Sequence, residues 1–542
     1  MYAGLAATAA VVILSALLAR LPYLWILPRP LPDIPHNPIK SLLGDVPAIA
    51  QYERDGKGAF TDFIAHLITM HGPILQILLP WRRIVIVADR VEAGRMMLSS
   101  KVVDAPGRLR TAFATALPNS QLAHPANEVW KKHRRIAGPS MSRRYLEHMS
   151  SRISLGANEL VGLWRAKIGL VGNSAFDVAM DFHLTTTDNI TYRVNIALGE
   201  SIGAVKSAYS ALPLTYSHST NVAQLPQPEF PPLYKAAKVI AEGFKRALQS
   251  PCPGITTWLF TYTSPTWWKF YKLLTSFFSD AIARTREREA GLGRTGQGLS
   301  TNADCVLDMI VQREIQEGAE ALGDKDILDE LITYLFGGQD TTASVLSWLV
   351  KYLPTDPEIQ RRLHDEMCAV FGADIESTEP LDFNLIDVPG RVPILEAVVA
   401  ETLRCAGVAS IISRELLRDE VILGRLIPKG TQLLFATGLM SKSEAEWGSD
   451  AKEWRPSRWL TSGGAFNRSA GPSIPFGMGQ RSCFGQRLAV LQLKIYVATM
   501  SREFFFKPVP SEVDSWEASE LILRRPKMSY VSLERWDFKS EP

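Results

Sequence analysis

The chain has 542 residues, of which 46% are hydrophobic and 21% charged, which is typical of a folded globular protein rather than a disordered one. Its formal net charge of +3 argues against extensive nucleic-acid binding. The five cysteines are scattered and form no CxxC pair, so the sequence suggests neither a disulfide framework nor a zinc cluster. A reducing compartment fits this cysteine usage best.

The N-terminus is predicted to be a transmembrane anchor. Residues 1–19 carry no charged side chain, and the apolar stretch continues after Arg20, which is long enough for a helix to cross a bilayer. Tyr23 and Trp25 are suited to anchor it at the membrane interface. A cleaved signal peptide is the alternative, but such peptides begin with basic residues, and here none precedes Arg20. The positive charge that follows the span favours a globular domain on the cytoplasmic side.

Five prolines in PRPLPDIPHNP follow the anchor and predict a stiff, non-helical hinge. The predicted domains are therefore a transmembrane anchor (1–28), a hinge (29–45) and a globular domain (46–542). The globular domain is expected to be mainly α-helical with small β-sheets. Its clearest elements are a β-hairpin at 74–89 and helices at 89–100, 325–353 and 356–372. The interval 200–270 is rich in proline and predicts short helices joined by irregular loops.

The first candidate functional motif is NEVWKKHRRIAGPS, residues 127–140. Trp130 and Arg134 lie one helical turn apart, so an indole N–H and a guanidinium could bind one carboxylate together. The alternative is a basic amphipathic helix with a half-buried tryptophan. The residues alone favour that alternative.

The second motif is GGQDTT, residues 337–342, within the helix predicted at 325–353. Gly337 and Gly338 each cost about 1 kcal/mol against alanine inside a helix, so we expect them to leave space for a flat cofactor or a small ligand. Asp340 and Thr341 follow at once and could deliver protons to that ligand. The alternative is a helix kink with hydroxyl groups bonded back to the helix and a solvated aspartate.

The third motif is ETLR, residues 401–404. Glu401 and Arg404 share a helix face and are expected to form a buried ion pair, with Arg458 as a third member. An exposed helical ion pair is the alternative.

The fourth motif is FGMGQRSCFG, residues 476–485. A thiolate is a strong ligand for a redox-active metal, and the N-terminus of the apolar helix predicted at 484–500 would favour the ionised form of Cys483. The surrounding glycines would let backbone approach a large planar cofactor, and Arg481 would offer positive charge to an anionic edge. A structural buried cysteine would leave the glycines and Arg481 unexplained.

These motifs together resemble the cytochrome P450 superfamily over roughly residues 30–542. FGMGQRSCFG matches every defined position of the family's haem-binding signature, and WKKHR, GGQDTT and ETLR match three further motifs in the same order. Two departures occur: the family's usual His-Arg-Asp-Pro reads SKSE at 441–444, and its Pro-Glu-Arg reads Pro456-Ser457-Arg458. Both concern local packing rather than a haem ligand.

The resemblance assigns roles to the site residues. Cys483 would be the proximal ligand of haem b, with Phe476 packed near the sulfur. Gly337 and Gly338 would border the haem, and Asp340 with Thr341 would be the acid–alcohol pair that supplies protons for oxygen activation. The haem propionates would be held by basic and indole side chains, namely Trp130, Arg134, Arg414 and Arg481.

The implied activity is insertion of one oxygen atom of O₂ into a lipophilic small molecule, resembling fungal secondary-metabolism members. Electrons would come from NADPH through a cytochrome P450 reductase, with cytochrome b5 as an additional candidate partner. The reductase would meet a basic patch of Lys131, Lys132, His133, Arg135, Arg143 and Arg144. Two alternatives remain: a haem-thiolate isomerase or dehydratase that needs no external electrons, and a non-catalytic membrane haem-binding protein.

The expected location is the endoplasmic reticulum membrane, with a single span and the catalytic domain facing the cytoplasm. The sequons at Asn189 and Asn467 should therefore carry no glycan.

Overall fold

A computed structural model describes residues 28–80, 82–194, 203–216, 221–294, 305–317, 322–372, 374, 379–520 and 522–536. Apart from residue 28, the predicted anchor at 1–28 lies outside the described residues. No helix among the residues that are described combines the length and the apolar character that crossing a bilayer requires.

The described chain is mainly helical with short strands in small sheets, as predicted. The helices are α1 (Val46–Arg54), α2 (Phe60–His71), α3 (Arg90–Leu98), α4 (Gly107–Ala114), α5 (Glu128–Ala137), α6 (Arg143–Val171), α7 (Ala179–Val194), α8 (Ala204–Ser210), α9 (Pro232–Gln249), α10 (Pro253–Thr263), α11 (Pro265–Arg294), α12 (Val306–Glu317), α13 (Asp324–Tyr352), α14 (Pro357–Phe371), α15 (Phe383–Asp387), α16 (Pro393–Ala406), α17 (Thr437–Met440), α18 (Glu444–Trp447) and α19 (Gln486–Glu503). The strands are β1 (Ile74–Leu79), β2 (Arg82–Val87), β3 (Val103–Asp104), β4 (Ala175–Asp177), β5 (Val222–Ala223), β6 (Ile412–Leu416), β7 (Glu420–Ile422), β8 (Arg425–Ile427), β9 (Gln432–Phe435), β10 (Phe504–Lys507), β11 (Ala518–Glu520), β12 (Arg524–Pro526) and β13 (Tyr530–Arg535).

The chain forms two compact units, and the smaller one contains a five-stranded sheet. The described residues of this unit lie within Met1–Pro106, Ile411–Met440 and Met478–Gln480. Its strand order is β1-β2-β9-β6-β3, and the antiparallel pairing of β1 with β2 confirms the predicted hairpin. Leu75 and Ile86 are fully buried in a core shared with α2, because β-branched and leucine side chains pack well on a pleated surface.

Part of the proline-rich segment is built into this smaller unit. The buried amide of Gln76 on β1 accepts a hydrogen bond from the Leu31 N–H at 2.8 Å and donates to the carbonyls of Leu31 and Ile34 at 2.9 and 2.8 Å. The segment is non-helical, as predicted. Its end at Pro35 is nevertheless fixed, since the Pro35 carbonyl also accepts the Gln76 N–H.

The described residues of the larger unit lie within Gly107–Ser410, Ser441–Gly477 and Arg481–Pro542, and they include the long helices. Helix α13 is buried along most of its length and packs against α7 and α19. A four-stranded sheet of order β10-β13-β4-β5 and the β11–β12 hairpin lie in the same unit. The GGQDTT motif, residues 481–485 around Cys483 and the β11–β12 hairpin therefore all belong to this unit.

The expectation of short helices and irregular loops at 200–270 is confirmed for the described residues up to 231, where the seven-residue α8 is followed by irregular chain and the two-residue β5, and it is wrong for 232–270. Helices α9 and α10 and the beginning of α11 occupy it, and α11 alone extends over 30 residues. Each of the three helices begins at a proline: Pro232, Pro253 and Pro265. Proline is well tolerated in the first helical turn, where its missing N–H would have no intrahelical partner. These prolines therefore start helices rather than break them.

The Glu401–Arg404–Arg458 cluster is buried, as predicted. The Arg404 guanidinium donates two hydrogen bonds to the Glu401 carboxylate at 2.7 and 2.8 Å, and Arg458 Nε donates a third at 2.8 Å. Arg404 also donates to three backbone carbonyls, those of Ser441, Ala451 and Glu453. Because these acceptors belong to the backbone, the SKSE departure at 441–444 leaves the contact with Ser441 intact.

The first sequon lies inside the protein. Asn189 on α7 is buried, and its amide donates to the hydroxyl of Tyr496 on α19. A glycan could not be accommodated there without disrupting the contact between the two helices. Asn467 is only partly buried, so the presence or absence of a glycan on this sequon can show on which side of the membrane the domain lies.

Candidate active site

Cys483 lies on the loop before α19. Its backbone N–H donates to the carbonyl of Phe476 at 2.8 Å, which closes the loop, and its side chain is exposed. Gly485 precedes the first residue of α19, and no side chain caps this helix end. The N–H groups at a helix N-terminus favour negative charge nearby, so the position stabilises a thiolate.

Gly479, on the same loop, belongs to the smaller unit. Its φ of +73° lies in the left-handed region, and a Cβ atom there would collide with the carbonyl oxygen of Met97. Only glycine satisfies both conditions without strain. The glycine at this place in the motif is thus a packing requirement.

Three of the predicted propionate ligands lie together in the larger unit. The guanidinium carbons of Arg134 and Arg481 lie 5.2 and 4.5 Å from the centroid of the Trp130 ring. Asn127 caps α5 by accepting the Trp130 N–H at 3.0 Å, which fixes the start of the helix that carries both Trp130 and Arg134. Two guanidinium groups beside one indole form a strongly cationic site, which favours an anionic ligand.

This cationic cluster adjoins the cysteine loop. Arg134 donates to the carbonyl of Ser482 at 2.8 Å, and its guanidinium carbon lies 5.1 Å from the centroid of the Phe484 ring. Burial lowers the pKa of the Arg134 guanidinium, and the ionised form of the nearby Cys483 thiol acts in the opposite direction. The Ser482 carbonyl and the Phe484 ring therefore hold Arg134 within electrostatic range of the sulfur.

Helix α13 meets the loop through aromatic stacking. The rings of Tyr334 and Phe484 are nearly parallel, with centroids 5.8 Å apart. Since Phe484 follows Cys483 directly, this contact places α13 next to the cysteine loop. Gly337 is one helical turn further along α13.

The two glycines of the GGQDTT motif have different surroundings. A Cβ atom on Gly337 would meet nothing within 4 Å, so open space adjoins α13 there, as expected. The expectation that Gly338 also leaves room for a cofactor is wrong. A Cβ atom on Gly338 would lie 2.5 Å from Cδ1 of Ile190, so its missing side chain allows close packing of α13 against α7.

The Thr341 hydroxyl donates to the carbonyl of Gly337 at 3.0 Å. This is the back-bonding that the sequence left open as an alternative. This bond uses the proton of the Thr341 hydroxyl, but the lone pairs of the hydroxyl oxygen can still accept hydrogen bonds. The hydroxyl must rotate away from Gly337 before it can donate elsewhere.

Asp340 is held in an ion-pair network rather than solvated. Its carboxylate lies 2.9 Å from Nζ of Lys245 on α9 and 3.4 Å from Nδ1 of His183 on α7. Burial alone would raise the pKa of the Asp340 carboxyl, but the contacts with His183 and Lys245 outweigh it and hold the pKa well below its usual range. Asp340 is therefore ionised at neutral pH.

Sequence reasoning missed Lys245 and His183. Neither belongs to a recognisable motif, and Lys245 lies in the interval where irregular loops were expected. Its helical spacing from Pro232 onward was the available signal, since an apolar face repeats along α9 at Tyr234, Ala237 and Phe244.

The remaining predicted residues have varied positions. Arg414 lies on β6 in the smaller unit, where it is largely buried and donates to the carbonyl of Ser413 at 2.8 Å. Its role as a propionate ligand stays a prediction, as does the packing of the Phe476 ring on the sulfur.

The prediction that His133 belongs to the basic surface patch is wrong. It is buried, with Nδ1 2.7 Å from the Glu330 carboxylate, because it lies on the inward face of α5.

The residues present fit a haem. An accessible thiol at a helix N-terminus provides a soft iron ligand, and the Arg134–Arg481 pair provides counter-charge for the propionates. Gly485, like Gly337, would direct a Cβ atom into open space, so both positions can lie close to a planar ring.

Comparisons with known proteins identify the family of this chain. The family model described as "Cytochrome P450" matches residues 37–533. A cytochrome P450 monooxygenase of Pestalotiopsis microspora is 27% identical, with 97% of each chain covered. The cytochrome P450 monooxygenase TRI13 of Fusarium sporotrichioides is 27% identical over 95% of this chain and 97% of the relative. The corresponding values for the cytochrome P450 monooxygenase xilC of Penicillium crustosum are 28%, 94% and 93%. The chain therefore belongs to the cytochrome P450 family, and it is a haem-thiolate monooxygenase of the fungal secondary-metabolism type.

Proposed function

We propose that the protein uses haem b, O₂ and electrons from NADPH to oxidise a lipophilic intermediate of a biosynthetic pathway, by hydroxylation, epoxidation or successive oxidations. The observation that carries this proposal is the accessible Cys483 thiol beside the Arg134–Arg481 pair. Apolar and aromatic side chains next to Gly337 support a lipophilic substrate, since Phe336 packs edge-to-face on Phe113.

Each site residue has a distinct task. Cys483 would bind the iron, and Trp130, Arg134 and Arg481 would hold the propionates. When bound, the haem thiolate supplies the activation of O₂ that the protein side chains cannot perform. The protein contributes by positioning the substrate, excluding water and moving protons.

Proton movement would use Asp340 and Thr341. Because Asp340 is ionised, it holds no proton at neutral pH; it would accept one that arrives as a hydronium ion through water and pass it on. Lys245 and His183 keep the carboxylate charged and fix its orientation. Thr341 would then donate its hydroxyl proton after rotating away from the Gly337 carbonyl.

The proposed electron donor is a membrane-bound NADPH–cytochrome P450 reductase, with cytochrome b5 as a second candidate. Basic side chains on and beside α5, exposed except for the half-buried Lys132, support this proposal, because they would attract an acidic flavodomain. Without the buried His133, the proposed patch consists of Lys131, Lys132, Arg135, Arg143 and Arg144.

The proposed location is the endoplasmic reticulum membrane, with residues 1–28 as a single transmembrane helix and the catalytic domain in the cytoplasm. One surface feature supports membrane association. The side chains of Ile255, Trp258, Leu259 and Tyr262 form an exposed apolar stripe on α10, and tryptophan and tyrosine suit the interface of a bilayer. Resistance to alkaline carbonate extraction tests the anchor, and a glycan found on Asn467 would contradict the cytoplasmic orientation.

The thiolate assignment is tested with two cysteine variants. Cys483→Ser should lose the reduced, CO-bound absorption band of a haem thiolate and all oxygenated product. Cys252→Ser is the matched control, because Cys252 is also exposed but lies at the start of α10. Retention of the band and the product by Cys483→Ser would overturn the proposal.

Electron dependence separates the proposed reaction from the two alternatives left open by the sequence. NADPH consumption that requires the reductase and yields oxygenated product supports a monooxygenase. An isomerase or dehydratase would form product without NADPH, and a haem-binding protein would form none.

A further inference from the structure

A small cavity adjoins the Asp340 network in the larger unit. Its walls come from α9, α13 and the β11–β12 hairpin. The lining residues are Lys245, Asp340, Ser344, Ile522, Leu523 and Arg525. None of the motifs singled out in the sequence includes Arg525.

The charges of this cavity do not balance. Asp340 is its single lining carboxylate, and it already pairs with Lys245 and also contacts His183. The backbone of Arg525 pairs with Ser519 in the hairpin, but its guanidinium forms no hydrogen bond or ion pair with any residue in the part of the chain that the structure describes. One guanidinium charge is therefore left over at a site that is partly shielded from water.

The neighbouring cations on the same hairpin are paired. Arg524 lies 3.7 Å from the Glu520 carboxylate, and Lys527 lies 2.6 Å from that of Glu517. Arg525 thus differs from both of its cationic neighbours. Arg525 is only partly exposed and lines the cavity, so its guanidinium is partly withdrawn from water.

The cavity also offers apolar surface. Ile522 and Leu523 lie beside Arg525, and Leu523 packs against the main core. A guanidinium binds a carboxylate with two parallel hydrogen bonds, and such charge-assisted bonds are about twice as strong as neutral ones. Apolar surface next to the guanidinium suits a ligand with a hydrocarbon body.

We infer that Arg525 forms an anion subsite and that the substrate of the proposed reaction is a lipophilic molecule bearing a carboxylate. Arg525 binds the carboxylate, and Ile522 and Leu523 contact the adjoining hydrocarbon. The inference rests on the proposed function, because the subsite adjoins the Asp340 side chain that the proposed reaction uses.

Ligand binding to the holoenzyme tests this subsite without turnover. The probes are dodecanoate and dodecan-1-ol, which share a chain length and differ in charge, and their dissociation constants are measured by isothermal titration calorimetry at pH 7.5. The native protein should bind dodecanoate about tenfold more tightly, as expected for one hydrogen-bonded charge pair. Arg525→Gln should abolish this preference without changing the affinity for the alcohol.

Two further variants control the result. Lys527→Gln removes a positive charge from the same hairpin outside the cavity and should keep the full preference. Arg525→Lys keeps the charge without the bidentate geometry and should keep part of it, which also covers the case in which Arg525→Gln fails to fold.

Three outcomes would overturn the inference: no binding of dodecanoate, equal affinity of the native protein for the two probes, or an undiminished preference in Arg525→Gln. The reduced, CO-bound spectrum of the same samples reports the haem thiolate independently. A normal spectrum without carboxylate preference would refute the subsite alone, whereas an absent spectrum would refute the proposed function.

Discussion

The buried carboxylate of Glu401 allows a quantitative prediction. It accepts hydrogen bonds from both Arg404 and Arg458, and also from the Arg455 N–H and the indole of Trp459, the last two at 2.8 Å. In Glu401→Gln, one carboxylate oxygen becomes an NH₂ group that faces these donors. The buried Arg404 guanidinium then loses its counter-charge, whereas Arg458 keeps the Asp450 carboxylate 3.3 Å away. Breaking a buried pair in this way costs roughly 3–5 kcal/mol of the free energy of unfolding.

The cost can be measured by urea unfolding of the haem-loaded protein, with tryptophan fluorescence and the haem absorption recorded together. Glu453→Gln is the matched control, since the Glu453 side chain is exposed and only its backbone carbonyl accepts from Arg404. The control should unfold at nearly the same urea concentration as the native protein.

The effect of Glu401→Gln should also depend on pH in a defined direction. Burial alone would raise the pKa of the Glu401 carboxyl, but the bonds from Arg404 outweigh it and lower the pKa below its ordinary value. The stability that this carboxylate contributes is therefore fully present above the unfolded-state pKa of about 4.3 and is lost as the pH falls through the lower folded-state value. A loss below about 1 kcal/mol at pH 7 would refute the reasoning, because it would show that the buried charges are compensated in another way.

Three other predictions concern the site and its surroundings. Thr341→Ala should lower product formation roughly tenfold to a hundredfold while NADPH consumption continues, and undiminished coupling would remove Thr341 from proton delivery. Burial raises the pKa of the Asp329 carboxyl to about 6, so ionisation of Asp329 weakens the fold as the pH rises from about 4 to 6. The stability of Asp329→Asn relative to the native protein should thus increase by up to about 3 kcal/mol over that range in urea unfolding, and a pH-independent difference would contradict this. The double variant Arg135→Gln/Arg144→Gln should flatten the dependence of the reductase-supported rate on ionic strength, and an unchanged slope in stopped-flow reduction would place the reductase elsewhere.

The sequence predicted the local parts of the site well because each depends on short-range geometry. Trp130 and Arg134 share a helix face by their spacing alone, and Glu401 and Arg404 do the same. The hairpin at 74–89 was predicted from its β-branched residues. In these cases the residues that interact are only a few positions apart along the chain.

Contacts between distant segments could not be predicted in the same way. Lys245 and His183 meet Asp340 only because α9 and α7 pack against α13, and no pattern in the sequence encodes which helices become neighbours. Gly338 illustrates the same limit: its place within a motif suggested space for a ligand, whereas its use depends on Ile190, nearly 150 positions away.

The prolines at 232, 253 and 265 show a different limit. Proline is unfavourable inside a helix and favourable in the first turn of one. A proline therefore indicates the start of a helix when apolar helical spacing follows it, and the end of a helix when such spacing precedes it. The number of prolines in 200–270 suggested loops, whereas the helical spacing of apolar residues on the C-terminal side of Pro232 indicates the start of a helix.

The way Arg404 is anchored has a consequence for recognising related proteins. Its guanidinium donates hydrogen bonds to the backbone carbonyls of residues 441, 451 and 453 and does not depend on the side chains at these positions. Substitutions in this stretch can therefore change its side chains during evolution while the hydrogen bonds of Arg404 are retained. A sequence search that requires His-Arg-Asp-Pro at 441–444 would miss family members with other residues there. A structural search for a buried arginine that donates to three backbone carbonyls would find them.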